Sequence, residues 1–274
     1  MSDSPAEKDY VLGTHDDEIA RLGLQHRVWR AQAADSWRRA GFKSGQSLID
    51  LGCGPGYASL DLADIVGPGG QVLSIDRSRR FLDTLERFAD ERGLSQIKTL
   101  ELDLDQQELP RIHVDGIWSR WVYAFVREPR RLLERAAAIL RPGGVMVMHE
   151  YVDYRGWRLS TGSPAFADFV QEVIHSWRAS GGEPDIGLVL PGWLGELGFR
   201  LSTLAPLVYI ARPGDSIWPW PRAFVDVGIR RLVDLGRIEP DRAREFTDAF
   251  AQVEAMPNGF QITPMVIEIV AVKS

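Results

Sequence analysis

The sequence predicts an α/β fold, a doubly wound parallel sheet with helices on both faces. Three observations carry that prediction. Short apolar runs alternate with amphipathic stretches from residue 46 to 150. Glycine-rich turns, "GPGG" at 67–70 and "PGG" at 142–144, punctuate the alternation. The run "LIDLGCGPGY" at 48–57 ends an apolar strand in an acid and then places glycines at every second position. Strands buried on both faces read as continuous apolar runs, and parallel strands need a helical crossover between them.

In chain order, residues 1–9 are polar and expected to fray. From Asp16 to Ala40, Ile19, Leu22, Leu24, Val28, Trp29, Ala33 and Trp37 recur at helical spacing, giving one or two helices ended by Gly41. "SLIDL" is the first strand and "YASLDLADIV" the first crossover helix. "QVLSID" is the second strand, and "SRRFLDTLERFADERG" a helix stopped by Gly93. "IKTLELD" and "VDGIWS" are strands three and four. "EPRRLLERAAAIL" is a helix with Pro129 in its first turn, and "VMVMHEY" is strand five. Beyond Tyr151 the alternation loosens. A helix opens at Ser163 and Pro164 and ends at Gly181 and Gly182. "LPGWLGELGF" is a short helix, "RLSTLAPLVYIA" is extended, and the Trp- and Pro-rich 213–223 reads as a loop or lid entrance. "AFVDVGIRRLVDLG" and "PDRAREFTDAFAQVEAM" are two more helices, and "FQITPMVIEIVAV" closes the chain as a long β run.

Bulk properties narrow the function classes. The chain has 274 residues, 45% hydrophobic and 26% charged, as expected of a globular protein able to bury a full core. A net charge of −6 disfavours a surface that tracks phosphates, so no nucleic-acid partner is expected. Cys53 is the one cysteine, which excludes an intrachain disulfide and fits a cytoplasmic location. The first residues lack a basic region followed by an apolar core, and no apolar run reaches the length of a membrane span, so a soluble protein with no membrane partner is expected. The sequence admits a homodimer without predicting one.

The glycine loop follows the first strand, at the edge where α/β sheets bind ligands. A dinucleotide fingerprint would need a third glycine at Tyr57 or at Ser59, and neither is one. Asp50, Gly52, Gly54 and Gly56 instead spell D-x-G-x-G-x-G. This stretch resembles the first motif of the class I S-adenosylmethionine-dependent methyltransferases. The span 45–150 resembles that family throughout, most closely the small-molecule enzymes of the ubiquinone and menaquinone biosynthesis type.

The resemblance implies a Rossmann-like seven-stranded sheet, with strand seven antiparallel between five and six. "FRLSTLAPLVYI" and "QITPMVIEIVAVK" would be strands six and seven. It implies S-adenosylmethionine as cofactor: Gly52, Cys53, Gly54 and Gly56 pass under its amino-acid part, and Asp50 faces the ammonium. Asp76, twenty residues beyond Gly56, would accept both ribose hydroxyls, with Arg77 beside it. In "LDLDQQELP", Asp103 would accept from the adenine amino group and the Leu104 N–H would face the ring; Glu101 departs from the family by standing where a glycine is common. Ser119, in "GIWSRW", would lie beneath the methionine part. Gln25 and Trp29 would reach in from a covering helix, with Tyr10 a weaker candidate. Cys53 reads as a small filler rather than a reactive thiol.

The expected organisation is an N-terminal helical cap over 1–44 and a methyltransferase domain over 45–274, with lid insertions at about 151–195 and 213–257. His149 and Glu150 end strand five, and either could be a general base; each also reads as a buried, hydrogen-bonded structural residue. Successive strand side chains point to opposite faces, so at most one faces the cofactor. Trp29, Tyr123, Tyr151, Trp218 and Trp220 are the candidate contacts to the methyl acceptor. Arg120 reads equally as a carboxylate anchor or a surface ion pair. No metal site is expected, because H-E-x-x-H fails at Asp153 and the five histidines share no ligand spacing.

The expected activity is methylation, on O, N or C, of a small apolar or aromatic molecule. The alternatives are a non-methylating S-adenosylmethionine binder of the same fold and, further off, an NAD-dependent oxidoreductase. After strand four, "SRWVYAF" lacks the Pro-Pro-aromatic motif of DNA amino-methylating enzymes.

Overall fold

A computed structural model describes residues 16–274; Tyr10 lies outside the described residues. A seven-stranded sheet has the order β3-β2-β1-β4-β5-β10-β7. Its parallel strands are β1 (Ser47–Leu51), β2 (Gln71–Asp76), β3 (Ile97–Glu101), β4 (Val114–Arg120) and β5 (Leu140–Asp153). The closing strand β10 (Met265–Lys273) is antiparallel to both β5 and β7 (Phe199–Leu207) and lies between them. The chain thus has the expected sheet, with the last strand inserted between the fifth and sixth.

The crossover helices are α2 (Tyr57–Val66), α3 (Arg79–Arg92) and α4 (Pro129–Ile139), preceded by α1 (Asp16–Arg39). Local chemistry sets their ends. The Ser78 hydroxyl accepts from Phe81 N at the start of α3, and Gly93 closes that helix in the left-handed conformation. Pro129 occupies the first turn of α4, where its missing N–H costs nothing.

Three details differ from the sequence expectation. Strand β5 begins at Leu140, because the chain pairs with Val114 before the glycine turn has finished. The Trp- and Pro-rich stretch is not all loop: α7 (Pro219–Asp234) begins inside it, with two prolines tolerated at the helix start. A small sheet of order β6-β9-β8, formed by Arg158–Leu159, Gln261–Ile262 and Ile210–Ala211, had no sequence signal, since two-residue strands are too short to show a period. The remaining helices are α5 (Pro164–Ala179), α6 (Leu190–Glu196) and α8 (Pro240–Ala255).

Helix α1 is fastened to the sheet by a buried polar cluster. Ser36 Oγ donates to Glu268 Oε2 on β10 at 2.5 Å and lies 2.9 Å from His149 Nε2 on β5. Arg39 Nη2 donates to both Glu268 oxygens at 2.7 Å. One end of α1 is thereby fixed above β5 and β10, so its first turns extend over the carboxyl edge of β1. No helix among the described residues is long and apolar enough to cross a membrane.

Candidate active site

A cavity of about 710 Å3 opens at the carboxyl ends of β1, β2 and β4, roofed by α1. Its floor is the glycine loop. Gly52 has φ +68°, and a Cβ there would meet Val122 Cγ2 at 2.5 Å; Gly56 has φ +80°, and its Cβ would meet Leu85 Cδ1 at 2.3 Å. These two glycines therefore let the loop pack against the turn after β4 and against α3.

Strand-end carboxylates line one part of the cavity. Asp50 accepts from Ser59 Oγ at 2.6 Å, and burial pushes its pKa up to about 6, with Ser59 and the charge of Arg120 acting the other way. Asp76 Oδ2 accepts Gly54 N and its Oδ1 accepts Ser78 N, both at 2.9 Å. It therefore clamps the glycine loop to the start of α3. Burial raises its pKa, opposed by those same N–H groups. Asp103 accepts Asp105 N and Gln106 Nε2 at 2.9 Å.

Arg120, at the end of β4, lines the same cavity. It is half-buried, and the loss of water around its guanidinium pulls its pKa down to about 10 while Asp50 draws it back up. Nη2 lies 3.4 Å from His26 Nδ1, and Nη1 is buried with no hydrogen-bond partner. The surface ion pair is thus excluded: no carboxylate among the described residues stands within ion-pair distance of it. His26 holds Asp61 Oδ2 at 3.1 Å through Nε2, and burial lowers its pKa, so the ring is neutral.

The next residue, Trp121, has φ +54°, a left-handed backbone rare for a bulky side chain. Its N–H donates to His149 O at 2.9 Å. Its ring stacks on Tyr151 (centroids 5.4 Å apart) and on Trp220 (5.6 Å), with Trp29 edge-on at 5.5 Å. Trp121, Tyr151, Phe125, Trp177 and Phe224 make the apolar part of the cavity wall.

The structure brings Gln25, Asp50, Gly52, Cys53, Gly54, Asp76, Arg77, Asp103, Leu104 and Tyr151 to the cavity. Burial pushes the Cys53 thiol well up, which leaves it a filler. Other candidates lie elsewhere. Gly56 starts α2 and faces Leu85. Ser119 and Tyr123 are buried with hydroxyls that meet no partner and do not reach the cavity. Trp29 and Trp220 form a second layer behind Trp121, while Trp218 turns away to donate to Glu254 at 3.1 Å.

Neither candidate base reaches the cavity. His149 is sealed under α1 against Ser36, Trp118 and Glu268, and burial lowers its pKa. Glu150 is turned to the opposite face and accepts the N–H groups of Val122, Tyr123 and Ala124. Both are consumed by the scaffold. Sequence reasoning missed Trp121 and Arg231 as cavity residues; Trp121 stood in the quoted strand-four motif, while Arg231 sits on a helix with no positional landmark.

The sheet order, the glycine loop and the acids closing β1 and β2 give the fold of the class I S-adenosylmethionine-dependent methyltransferases. Comparison with known proteins agrees: residues 49–148 match the family described as a methyltransferase domain. A demethylmenaquinone methyltransferase from Symbiobacterium thermophilum is 25% identical over 226 residues, 80% of this chain and 82% of that protein. An uncharacterised 37.1 kDa protein of a Streptomyces fradiae transposon is 34% identical over 180 residues, 64% of this chain and 49% of the other. The chain spans about half the length of that protein and of several other curated relatives it matches. A cyclopropane synthase of Mycobacterium tuberculosis shares the fold, with TM-score 0.57 and 18% identity over 89% of this chain and 83% of that one. Residues 49–148 are thus a methyltransferase domain, with the fold and glycine loop of the S-adenosylmethionine-dependent class.

Proposed function

We propose that this chain methylates a small, largely apolar or aromatic molecule, on O, N or C. The observation that carries the reading is one continuous cavity in which strand-end carboxylates give way to an aromatic wall. The carboxylate part suits the polar cofactor. Asp50 would face the ammonium, Arg120 with its free Nη1 the carboxylate, Asp76 the ribose hydroxyls and Asp103 the adenine amino group. When bound, the cofactor supplies an electrophilic methyl group on a sulfonium.

The protein's own contribution is position and dryness. Trp121, Tyr151, Trp177 and Phe224 exclude water from the acceptor's reacting atom and hold it in line. Burial raises the pKa of Tyr151 and keeps its phenol a neutral donor. With His149 and Glu150 out of reach, neither serves the acceptor as a general base. Helix α1, as part of a cap over 1–44, and the insertions at 151–195 and 213–257 would form the roof and far wall. The demethylmenaquinone methyltransferase relatives support an aromatic, quinone-like acceptor.

Parallel calorimetric titrations with S-adenosylmethionine, S-adenosylhomocysteine and NAD test the reading. Micromolar binding of the sulfur nucleosides alone, followed by release of S-adenosylhomocysteine with an aromatic acceptor, is expected. Binding of NAD, or of nothing, would overturn it; tight cofactor binding without turnover across a broad acceptor panel would favour the non-methylating alternative.

A further inference from the structure

The cavity carries an unbalanced set of buried polar atoms. Three donors on its lining residues have no partner: Arg120 Nη1, Trp121 Nε1 and Arg231 Nε. Among the described residues, no unpartnered buried acceptor belongs to a residue that lines it. A buried polar group left unsatisfied destabilises the protein, the more so when charged. A one-sided surplus of donors therefore points to a ligand that arrives with acceptor atoms.

Part of that surplus belongs to the cofactor. Arg120 stands in the field of Asp50, and together the two charges match an amino acid's carboxylate and ammonium. Trp121 and Arg231 remain. Arg231 follows Phe224 by two helical turns on α7, so both share one helix face, and both line the cavity. No carboxylate among the described residues lies within ion-pair distance of Arg231. Trp121 presents its indole N–H from a left-handed backbone that is unfavourable for a bulky residue. The His149 carbonyl and the turn capped by Glu150 hold it there. Strain of this kind persists where the surroundings enforce it.

Resting on the methyltransferase reading above, we infer that the methyl acceptor is an aromatic acid. Its ionised oxygen group pairs with Arg231, and a second oxygen accepts from the Trp121 indole. Arg231 has no carboxylate counter-ion among the described residues, and a neutral acceptor would leave it so. Tyr151, Trp177, Phe125 and Phe224 supply flat apolar surfaces in the same cavity.

The test uses the full chain saturated with S-adenosylhomocysteine and two probes of equal size, 3-hydroxy-2-naphthoate and its primary amide. Quenching of tryptophan fluorescence reads their binding without any turnover. The acid should bind at least about ten-fold tighter than the amide, the scale of one hydrogen bond to a charged group. Arg231→Met should reduce the acid to the amide's affinity, and Arg231→Lys should keep part of the preference. Arg127→Met, at the exposed rim, should change little. Equal affinities in the parent protein, no binding of either probe, or a preference surviving Arg231→Met would each overturn the inference. Failure of S-adenosylhomocysteine itself to bind would be seen before any probe is added, and would count against the methyltransferase reading instead.

Discussion

The Glu150 carboxylate accepts the backbone N–H of Val122 at 2.8 Å, and those of Tyr123 and Ala124 at 3.0 and 3.3 Å. An acid at the tip of β5 therefore shapes the turn after β4, the turn that begins with Trp121. Glu150→Gln puts N–H donors where an acceptor is needed. It should cost roughly 1.5–3 kcal/mol in chemical denaturation, the range for hydrogen bonds to a charged group. Because the turn sets Trp121, acceptor affinity should fall while S-adenosylhomocysteine affinity stays within about two-fold. Loss of both affinities together would show Glu150 acting on the cofactor.

The same residue gives the protein a pH signature. Burial pushes Glu150 up to about 7 against the pull of its three N–H donors, and Asp50 up to about 6. A carboxyl with a raised folded pKa holds its proton longer when folded than when unfolded. Its stabilising contribution is complete below about pH 4 and is lost as pH rises through the folded value. The unliganded protein should therefore lose resistance to urea between pH 5 and 7.5, and Glu150→Gln should flatten that decline. A midpoint that rises over this interval would contradict the assignment.

For Asp50 the same pKa turns into a binding prediction. Only its charged form attracts the cofactor's ammonium, so affinity for S-adenosylhomocysteine should be level above about pH 6 and weaken below it. Calorimetry at pH 5 and 7.5 reads the difference. Asp50→Asn should be weaker at both pH values and lose the dependence.

Asp76 has two jobs in one carboxylate, holding Gly54 and Ser78 while facing the cavity. Asp76→Ala should weaken cofactor binding by roughly 1.5–3 kcal/mol and also lower stability, since two buried N–H groups lose their acceptor. Asp76→Asn keeps one acceptor oxygen and should recover part of the stability without the affinity. Unchanged affinity in both variants would remove Asp76 from the ribose.

How much of this was legible in the sequence follows from the range of the interactions concerned. The β1 to β5 alternation was readable because each strand and helix advertises itself within its own ten residues. The acid and glycine pattern likewise marked the loop and its edge of the sheet. What the glycines approach was not readable: Gly52 yields to Val122 and Gly56 to Leu85, partners set by tertiary packing. The fate of His149 was equally hidden, since its partner Ser36 is 113 positions away. Arg231 was invisible for a related reason, as an arginine on an amphipathic helix looks the same facing water or a cavity. Gly56→Ala tests the packing account: its Cβ would collide with Leu85 at a left-handed φ, so the variant should be destabilised by about 1–3 kcal/mol, and Leu85→Ala in the same chain should relieve part of the clash.

The Ser36, His149 and Glu268 cluster supplies the last prediction. Burial would push Glu268 up, yet the nearby His149 ring and the hydrogen bonds from Ser36 and Arg39 outweigh it and hold the carboxylate at about 2. With the Ser36 hydroxyl donating to Glu268, His149 Nε2 carries its hydrogen toward Ser36, and the neutral ring completes the cluster. A depressed carboxylate contributes stability above its unfolded pKa, lost as pH falls toward the folded value. Glu268→Gln should therefore cost roughly 1.5–3 kcal/mol at pH 7, and the gap from the parent should narrow as pH drops toward 3. Since this cluster pins α1 above the cavity without touching it, the variant's methyl-transfer rate should keep the parent's pH profile at temperatures where both are folded. A profile that lost a limb near neutrality would return His149 to the role of base.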